Sequence, residues 1–231
     1  MIITGFQKST LLDYPGKVAA LIFTYGCNLR CAYCHNPELV TQPCIPSSIL
    51  KEEYILEYLK QRVDLLDAVV ITGGEPTIQK DLIPFMQKIK QLGYLLKLDT
   101  NGTNSKIVKD ILDLGIVDYW AMDIKYEKEL YIQKLEKNID YKEIEKSIYL
   151  LKEYAKDYEF RTTYVKGIHT IESVKGIGEL IEGSKRYYIQ NFRSGKTIDP
   201  NLNNQNSFTT KELEKFKKVI SKYVKDVQIR Y

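Results

Sequence analysis

Short β-branched or aromatic runs alternate with amphipathic segments along most of this chain, and no other feature narrows its fold so far. The strand candidates are Val18–Tyr25, Ala68–Thr72, Tyr94–Asp99, Tyr119–Ile124, Phe160–Val165 and Tyr187–Gln190, with a terminal candidate at Asp226–Tyr231. Between them apolar residues recur near a 3.6-residue period, as helices require. Examples are Ile55 and Leu59; Leu82, Phe85 and Ile89; Ile107, Ile111 and Leu114; Ile144, Ile148 and Leu151; and Val174, Ile177 and Ile181. Thr209-Thr210-Lys211-Glu212 reads as a capping box that opens a last helix after the polar stretch Asn201–Ser207. Strands separated by helices build a parallel sheet, because each connection must return along the length of the strand.

Six such units fall short of the eight that close a barrel. The expectation is an α/β fold, a partial (βα)6 TIM-like barrel with a C-terminal helix, in one domain over residues 1–231. A doubly wound sheet would give the same local pattern. In both, ligands gather at the carboxyl ends of the strands, and the unusual residues of this chain fall there. The cysteines follow the first strand candidate, Thr72-Gly73-Gly74-Glu75-Pro76 the second and Asp99-Thr100-Asn101-Gly102 the third, while Met122-Asp123-Ile124-Lys125 stands at the fourth.

Composition excludes several classes. Hydrophobic residues make up 44% of the chain, enough for a sizeable core, and no run approaches the roughly 18 apolar residues of a membrane helix. The start, Met1–Lys17, carries Asp13 and lacks the basic opening and unbroken apolar run of a secretory signal. A reducing cytoplasmic setting is expected, with no membrane partner. The net charge of +4 comes from 34 basic and 30 acidic residues interspersed along the same segments, so no nucleic-acid partner is expected. The lysines from Lys211 to Lys225 alternate with Leu213, Phe216 and Ile220 and read as one solvated helix face.

Cys27, Cys31 and Cys34 stand within eight residues, and Cys44 is the only other cysteine. A zinc site would need His35 or Cys44 as its fourth ligand; His35 directly follows Cys34, which makes shared coordination awkward. Cys31-Ala-Tyr-Cys34-His35 matches the short haem-attachment pattern, which leaves Cys27 unexplained and fits poorly with a chain lacking an export signal. A thioredoxin-like pair also leaves Cys27 idle. Core cysteines are at odds with neighbours such as Asn28, Arg30 and His35. The fourth candidate is an iron–sulfur cubane. It normally takes four thiolates, so three leave one iron open to a substrate or cofactor.

Cys27-Asn-Leu-Arg-Cys31-Ala-Tyr-Cys34 resembles the C-x3-C-x2-C signature of the radical S-adenosylmethionine enzymes, and Gly73-Gly74-Glu75-Pro76 resembles their companion motif. The resemblance implies a [4Fe-4S] cluster on Cys27, Cys31 and Cys34 with one open iron, and S-adenosylmethionine bound there with its methionine moiety beside Gly73, Gly74 and Glu75. It further implies reductive cleavage of that cofactor to a 5′-deoxyadenosyl radical, with the electron from an external low-potential donor such as flavodoxin or ferredoxin. In the glycyl-radical activase branch that the chain resembles, residues matching Asp99, Thr100 and Asp123 help hold a monovalent cation, and the one matching Lys125 contacts the cofactor. Tyr33 and His35 are expected to flank the adenine, and Gln190 to meet the ribose or adenine.

The longer run from Gly5 to Leu39, with Lys8-Ser9 and Asp13-Tyr14-Pro15-Gly16 ahead of the cysteines, resembles the activating proteins of anaerobic ribonucleoside-triphosphate reductase. The implied function is installation of a glycyl radical on that reductase. Asp13–Gly16 itself reads as a turn before a strand. The chain extends beyond the shortest activases, as pyruvate formate-lyase activases do, so a pyruvate formate-lyase-type activase is an alternative. So are a small-molecule radical enzyme such as 7-carboxy-7-deazaguanine synthase and, outside catalysis, a zinc-binding interaction module.

Overall fold

Eight strands form one sheet in the computed structural model, which describes residues 1–134 and 139–230. They are β1 (Ile3–Thr10), β2 (Ala19–Thr24), β3 (Ala68–Gly73), β4 (Leu95–Thr100), β5 (Tyr119–Asp123), β6 (Tyr158–Tyr164), β7 (Arg186–Asn191) and β8 (Asp226–Arg230). They lie side by side in chain order. β1 is antiparallel to β2, and every later neighbouring pair is parallel. The crossovers carry α1 (Glu52–Lys60), α2 (Leu82–Gln91), α3 (Ser105–Leu114), α4 (Lys128–Lys134), α5 (Tyr141–Tyr154), α6 (Ile171–Leu180) and α7 (Thr210–Ile220).

That order decides between the two architectures left open by periodicity. Right-handed crossovers that always advance in one direction lay their helices on one face of the sheet, whereas a doubly wound sheet reverses its order. This one never reverses, and among the described residues β8 does not pair back to β1. The result is the expected partial barrel, with seven parallel strands rather than six because the terminal candidate forms β8. Its expected last residue, Tyr231, lies outside the described residues.

Two elements have no clear sequence signal. In β1 the run Gln7-Lys8-Ser9 is exposed, and beyond a single bridge from Ile3 to Leu50 the strand pairs with β2 alone, so burial imposes no alternation. α4 turns a single buried residue, Tyr131, toward the core. On α3 the inward face is Val108 and Ile111, and Leu114 is left largely exposed. The capping box of α7 is formed: Thr209 Oγ1 accepts from the Glu212 N–H at 3.3 Å, and Glu212 Oε2 accepts from the Thr209 N–H at 2.8 Å.

Strand residues alternate between the two faces of the sheet. Ile22, Ile71, Leu98, Trp120 and Phe160 face outward and pack with helical residues such as Phe85, Ile111 and Ile177 in a continuous core. The concave face is apolar near the strand starts, where Ala19, Leu21, Ala68, Val70 and Tyr119 meet Tyr14. Tyr14 reaches them from a tight turn, with Lys17 N–H donating to Tyr14 O at 3.3 Å, Pro15 at the second position and Gly16 at φ +67°. Toward the strand ends the same face becomes ionic, carrying Lys97, Asp99, Asp123 and Arg161.

Ile71→Ala, in the middle of the sheet, is expected to lower unfolding stability by about 2–5 kcal/mol in urea titrations. Leu12→Ala, on a fully solvated loop, should stay within about 0.5 kcal/mol of the parent.

Candidate active site

Beyond β2 the chain runs through Tyr25–Asn36 without helix or strand, so its shape depends on what it is tied to. The end of β3 provides the first tie: Gly74 N–H donates to Thr24 O and Glu75 N–H to Gly26 O, both at 2.8 Å. A Cβ on Gly74 would stand 1.9 Å from Gly26 O, and one on Gly73, at φ +111°, would stand 2.5 Å from Thr24 N. Only glycine permits that approach. Arg30 curls the loop further, its guanidinium donating to Cys27 O at 2.6 Å and Leu29 O at 3.0 Å.

Glu75 is the second tie. Its buried carboxylate accepts from Thr77 N–H at 3.1 Å, Thr77 Oγ1 at 2.6 Å, Thr100 Oγ1 at 2.8 Å and Asn101 N–H at 2.7 Å. Burial pushes its pKa up against those hydrogen bonds. Asn101 continues the chain of contacts: its Nδ2 donates to Asn28 Oδ1 at 3.0 Å and lies 3.9 Å from Cys27 Sγ. The loops after β2, β3 and β4 are thereby one bonded unit.

Above this unit opens a cavity of about 480 Å³. It is lined by every residue singled out from the sequence: Cys27, Cys31, Cys34, Tyr33, His35, Gly73, Gly74, Glu75, Asp99, Thr100, Asp123, Lys125 and Gln190. All four cysteines are free, and Cys44 does not line the cavity. Burial, followed by the nearby Glu75 carboxylate, pushes the Cys27 thiol up to about 12. Burial also raises Cys31, in part offset by Lys125. Neither is an activated free thiolate of the thioredoxin kind, which needs a lowered pKa. Among the described residues no three His, Cys, Asp or Glu side chains converge on a single-ion position.

Opposite the thiols, β4, β5 and β6 contribute a row of charges. Lys97 Nζ lies 2.7 Å from Asp99 Oδ1, in ionic contact though off the hydrogen-bonding angle. Arg161 bridges the two aspartates, with Nη2 3.0 Å from Asp99 Oδ2 and Nε 2.7 Å from Asp123 Oδ1. Lys125 Nζ stands 3.1 Å from Asp123 Oδ2. Burial opposes ionisation of both carboxyls, but Arg161, with Lys97 or Lys125, overrides it and holds both below the usual aspartate range. Burial likewise opposes the Lys125 ammonium, and Asp123 and Cys31 more than offset it. The Lys125 backbone is clamped as well: its N–H donates to Tyr131 Oη at 2.6 Å, and its carbonyl lies 2.9 Å from His169 Nε2. His169 Nδ1 accepts from Val165 N–H, so Nε2 carries the proton and donates to that carbonyl.

Several of these lining residues also make contacts within the protein. Tyr33 is buried edge-on against Tyr126 and beside His169, and its hydroxyl is 3.4 Å from Lys125 O, so its ring braces the Lys125 loop. His35 is stacked on Phe192 at 5.5 Å with Nε2 2.8 Å from Arg193 O, which ties the cysteine loop to the segment after β7. Gln190 faces Thr163 Oγ1 at 3.4 Å. The side chain of Thr100 turns away from Asp99 toward Glu75, as adjacent strand residues must. Sequence reasoning missed Lys97, Arg161, Asn101 and His169. A charged residue inside each of two apolar strand candidates was the available signal for Lys97 and Arg161.

The donor set fits an iron–sulfur cluster with a bound cofactor: three uncommitted thiols share a polar cavity within the roughly 300–1,000 Å³ range of small-molecule sites. The model of the radical SAM superfamily matches residues 21–181. A Methanocaldococcus jannaschii protein, provisionally named a glycyl-radical enzyme activating enzyme, is 31% identical over 236 residues, covering 99% of this chain and 95% of that one. The 7-carboxy-7-deazaguanine synthase of Thermococcus kodakarensis is 28% identical over 71% of this chain and 70% of its own length. Streptococcus suis SuiB bound to S-adenosylmethionine superposes with a TM-score of 0.68 at 15% identity, over 91% of this chain and 52% of SuiB, a likeness of fold alone. The chain belongs to the radical SAM superfamily and, within it, to the glycyl-radical-enzyme activating enzymes. It is an enzyme of a family that works with a [4Fe-4S] cluster and S-adenosylmethionine. Among the described residues no helix is long and apolar enough to cross a membrane.

Gly74→Ala should cost more than about 1 kcal/mol in urea unfolding, because its backbone neighbour cannot move aside as a side chain would; Gly195→Ala, with nothing within 4 Å, should be nearly silent. The pKa of Asp123 is lower in the folded chain than its ordinary 3.8, so its stabilisation is present above that value and lost as pH falls below it. In acid titrations followed by circular dichroism, Asp123→Asn should lose less stability than the parent between about pH 5 and pH 2.

Proposed function

We propose that this activase installs a glycyl radical on anaerobic ribonucleoside-triphosphate reductase. The observation that carries the radical chemistry is the placement of three thiols, the Gly73-Gly74 turn and the Asp123–Lys125 pair around one cavity at the mouth of an open sheet, and the Gly5–Leu39 run favours the reductase as partner. Cys27, Cys31 and Cys34 would hold three irons of a [4Fe-4S] cluster and leave the fourth open for S-adenosylmethionine. When bound, cluster and cofactor supply a reductively formed 5′-deoxyadenosyl radical that takes a Cα hydrogen from a glycine of the partner.

The chain's own residues bind, orient and exclude water. The glycine turn and Glu75 fix the thiol loop, so three sulfurs on an irregular segment hold one arrangement. Lys125 stays protonated beside Asp123 and offers a fixed positive charge to an anionic cofactor group. Tyr33, Tyr131 and His169 hold its backbone. The electron would come from an external low-potential donor, of the flavodoxin or ferredoxin type. A glycine target has no side chain to recognise. What it needs is a mouth that admits a backbone loop, and a sheet that does not close supports that entry.

The likeness to 7-carboxy-7-deazaguanine synthase favours a second reading, a radical enzyme acting on a small molecule. Anaerobic reconstitution should give a brown protein with about four irons per chain. Incubation with S-adenosylmethionine, reductant and the reductase should then produce an organic radical on the reductase in electron spin resonance. Cofactor cleavage with no radical on that reductase or on a pyruvate formate-lyase would overturn the activase reading and favour the small-molecule one. Cys34→Ala should lose the cluster, whereas Cys44→Ala should keep iron content and cofactor cleavage; loss of both in the Cys44 variant would defeat the three-ligand assignment.

A further inference from the structure

The resemblance to glycyl-radical activases implies a monovalent cation held by Asp99, Thr100 and Asp123, and the residues of this chain do not fit one. A cation of that kind needs carboxylate and hydroxyl oxygens left free to face it. Here each is taken. Asp99 Oδ1 has Lys97 at 2.7 Å, and Asp99 Oδ2 has Arg161 at 3.0 Å and the Thr72 hydroxyl at 3.0 Å. Asp123 Oδ1 has Arg161 at 2.7 Å, and Asp123 Oδ2 has Lys125 at 3.1 Å. The Thr100 hydroxyl donates to Glu75 and accepts from the Gly102 N–H. Three cationic side chains already face two carboxylates, and the next carboxylate on this face, Glu159, is paired with Arg230, leaving a surplus of one positive charge, the charge that a sodium or potassium ion would supply. Added to that surplus, an alkali ion would enter a cluster that is already net positive, with each carboxylate in contact with two cations.

We propose that this enzyme takes no monovalent cation at its cofactor site: the Arg161 guanidinium, between Asp99 and Asp123 and flanked by Lys97 and Lys125, stands in its place. A planar, permanently charged fork suits a bridge between two carboxylates in a way that one small ion does not. It is also covalently fixed on β6, so its occupancy does not depend on the salt in solution. Arg161 is by this argument a positioning residue. It holds both aspartates in place, and together with them and Lys125 it lines the cavity.

The inference rests on the reading that the cavity binds S-adenosylmethionine, and the test separates the two. The reconstituted, reduced enzyme is exchanged into tetramethylammonium buffer, and potassium chloride is titrated in at constant ionic strength. Two quantities are followed: the dissociation constant for S-adenosylmethionine, and the electron spin resonance spectrum of the reduced cluster with the cofactor added. Both are expected to be the same in tetramethylammonium, sodium and potassium. A saturable tightening of about fivefold or more with potassium, or a cation-specific change in the spectrum, would overturn the proposal. Arg161→Gln is expected to create the missing dependence, with weak cofactor binding in tetramethylammonium that potassium restores about fivefold or more, while Arg161→Lys remains indifferent to the cation. A folded Arg161→Gln enzyme that binds the cofactor equally in every salt would count against the assignment; should that variant not fold, the potassium titration of the parent enzyme decides alone. Absence of cofactor binding in any salt would sink the underlying reading and this inference with it. Salt-independent binding without a radical on any glycyl-radical partner would sink only the choice of partner.

Discussion

Two backbones in direct contact, with no side chain between them, set the shape of this site. Where β3 ends, Gly73 and Gly74 let the chain lie against Thr24 and Gly26 closely enough for paired hydrogen bonds. Everything attached to that junction follows from it. The cysteine segment has no helix or strand of its own, so its sulfurs are placed by this contact, by the Arg30 guanidinium and by the Glu75 carboxylate reaching from the neighbouring loop. A bulkier residue would move the loop, and the thiols with it, rather than merely filling a space.

The second organising feature is electrostatic. A barrel interior is ordinarily filled with branched apolar residues; the lower half of this one holds Ala19, Leu21, Ala68, Val70 and two tyrosines, with Glu159 buried beside Tyr119 and paired to Arg230. The upper half carries five charged side chains in contact, arranged so that each anion touches two cations. Buried ions without partners are costly, and paired ones tolerate the loss of water only when their geometry is good. The alternation of β4, β5 and β6 supplies that geometry, because Lys97 and Asp99 point the same way two residues apart and Arg161 meets them from the next strand but one. Charge in this cavity is fixed by the fold.

How much of this could be read from the sequence depends on how local each feature is. The parallel strands were legible because burial on two faces forces continuous apolar runs, and the cysteine triplet and the glycine pair were legible because their spacing is itself the signal. β1 was not, since an edge strand with three exposed residues in a row has no pattern to read. Arg161 was not, because its meaning lies in two aspartates 38 and 62 residues away. His169 gave no local hint either: its partners are a backbone N–H four residues before it and a carbonyl 44 residues before it. Tyr33, expected from the resemblance to flank the adenine, lines the cavity, and its packing against Tyr126 and His169 could not be read from its neighbours in sequence. Proximity in sequence located the cavity, and only the tertiary contacts divide its lining into groups that face a ligand and groups that hold those in place.

The unclosed sheet bears on how another protein can approach. An unpaired strand invites a foreign chain to hydrogen-bond alongside it, and proteins guard against this with kinks and charges. β1 loses register with β2 twice, between Ile3 and Gly5 and between Gln7 and Thr10, and β8 begins with Asp226 and ends with Arg230. Neither flank offers an even ladder for an incoming segment to extend. The open approach to the cavity is then by way of the loops over the strand ends, not along a strand edge.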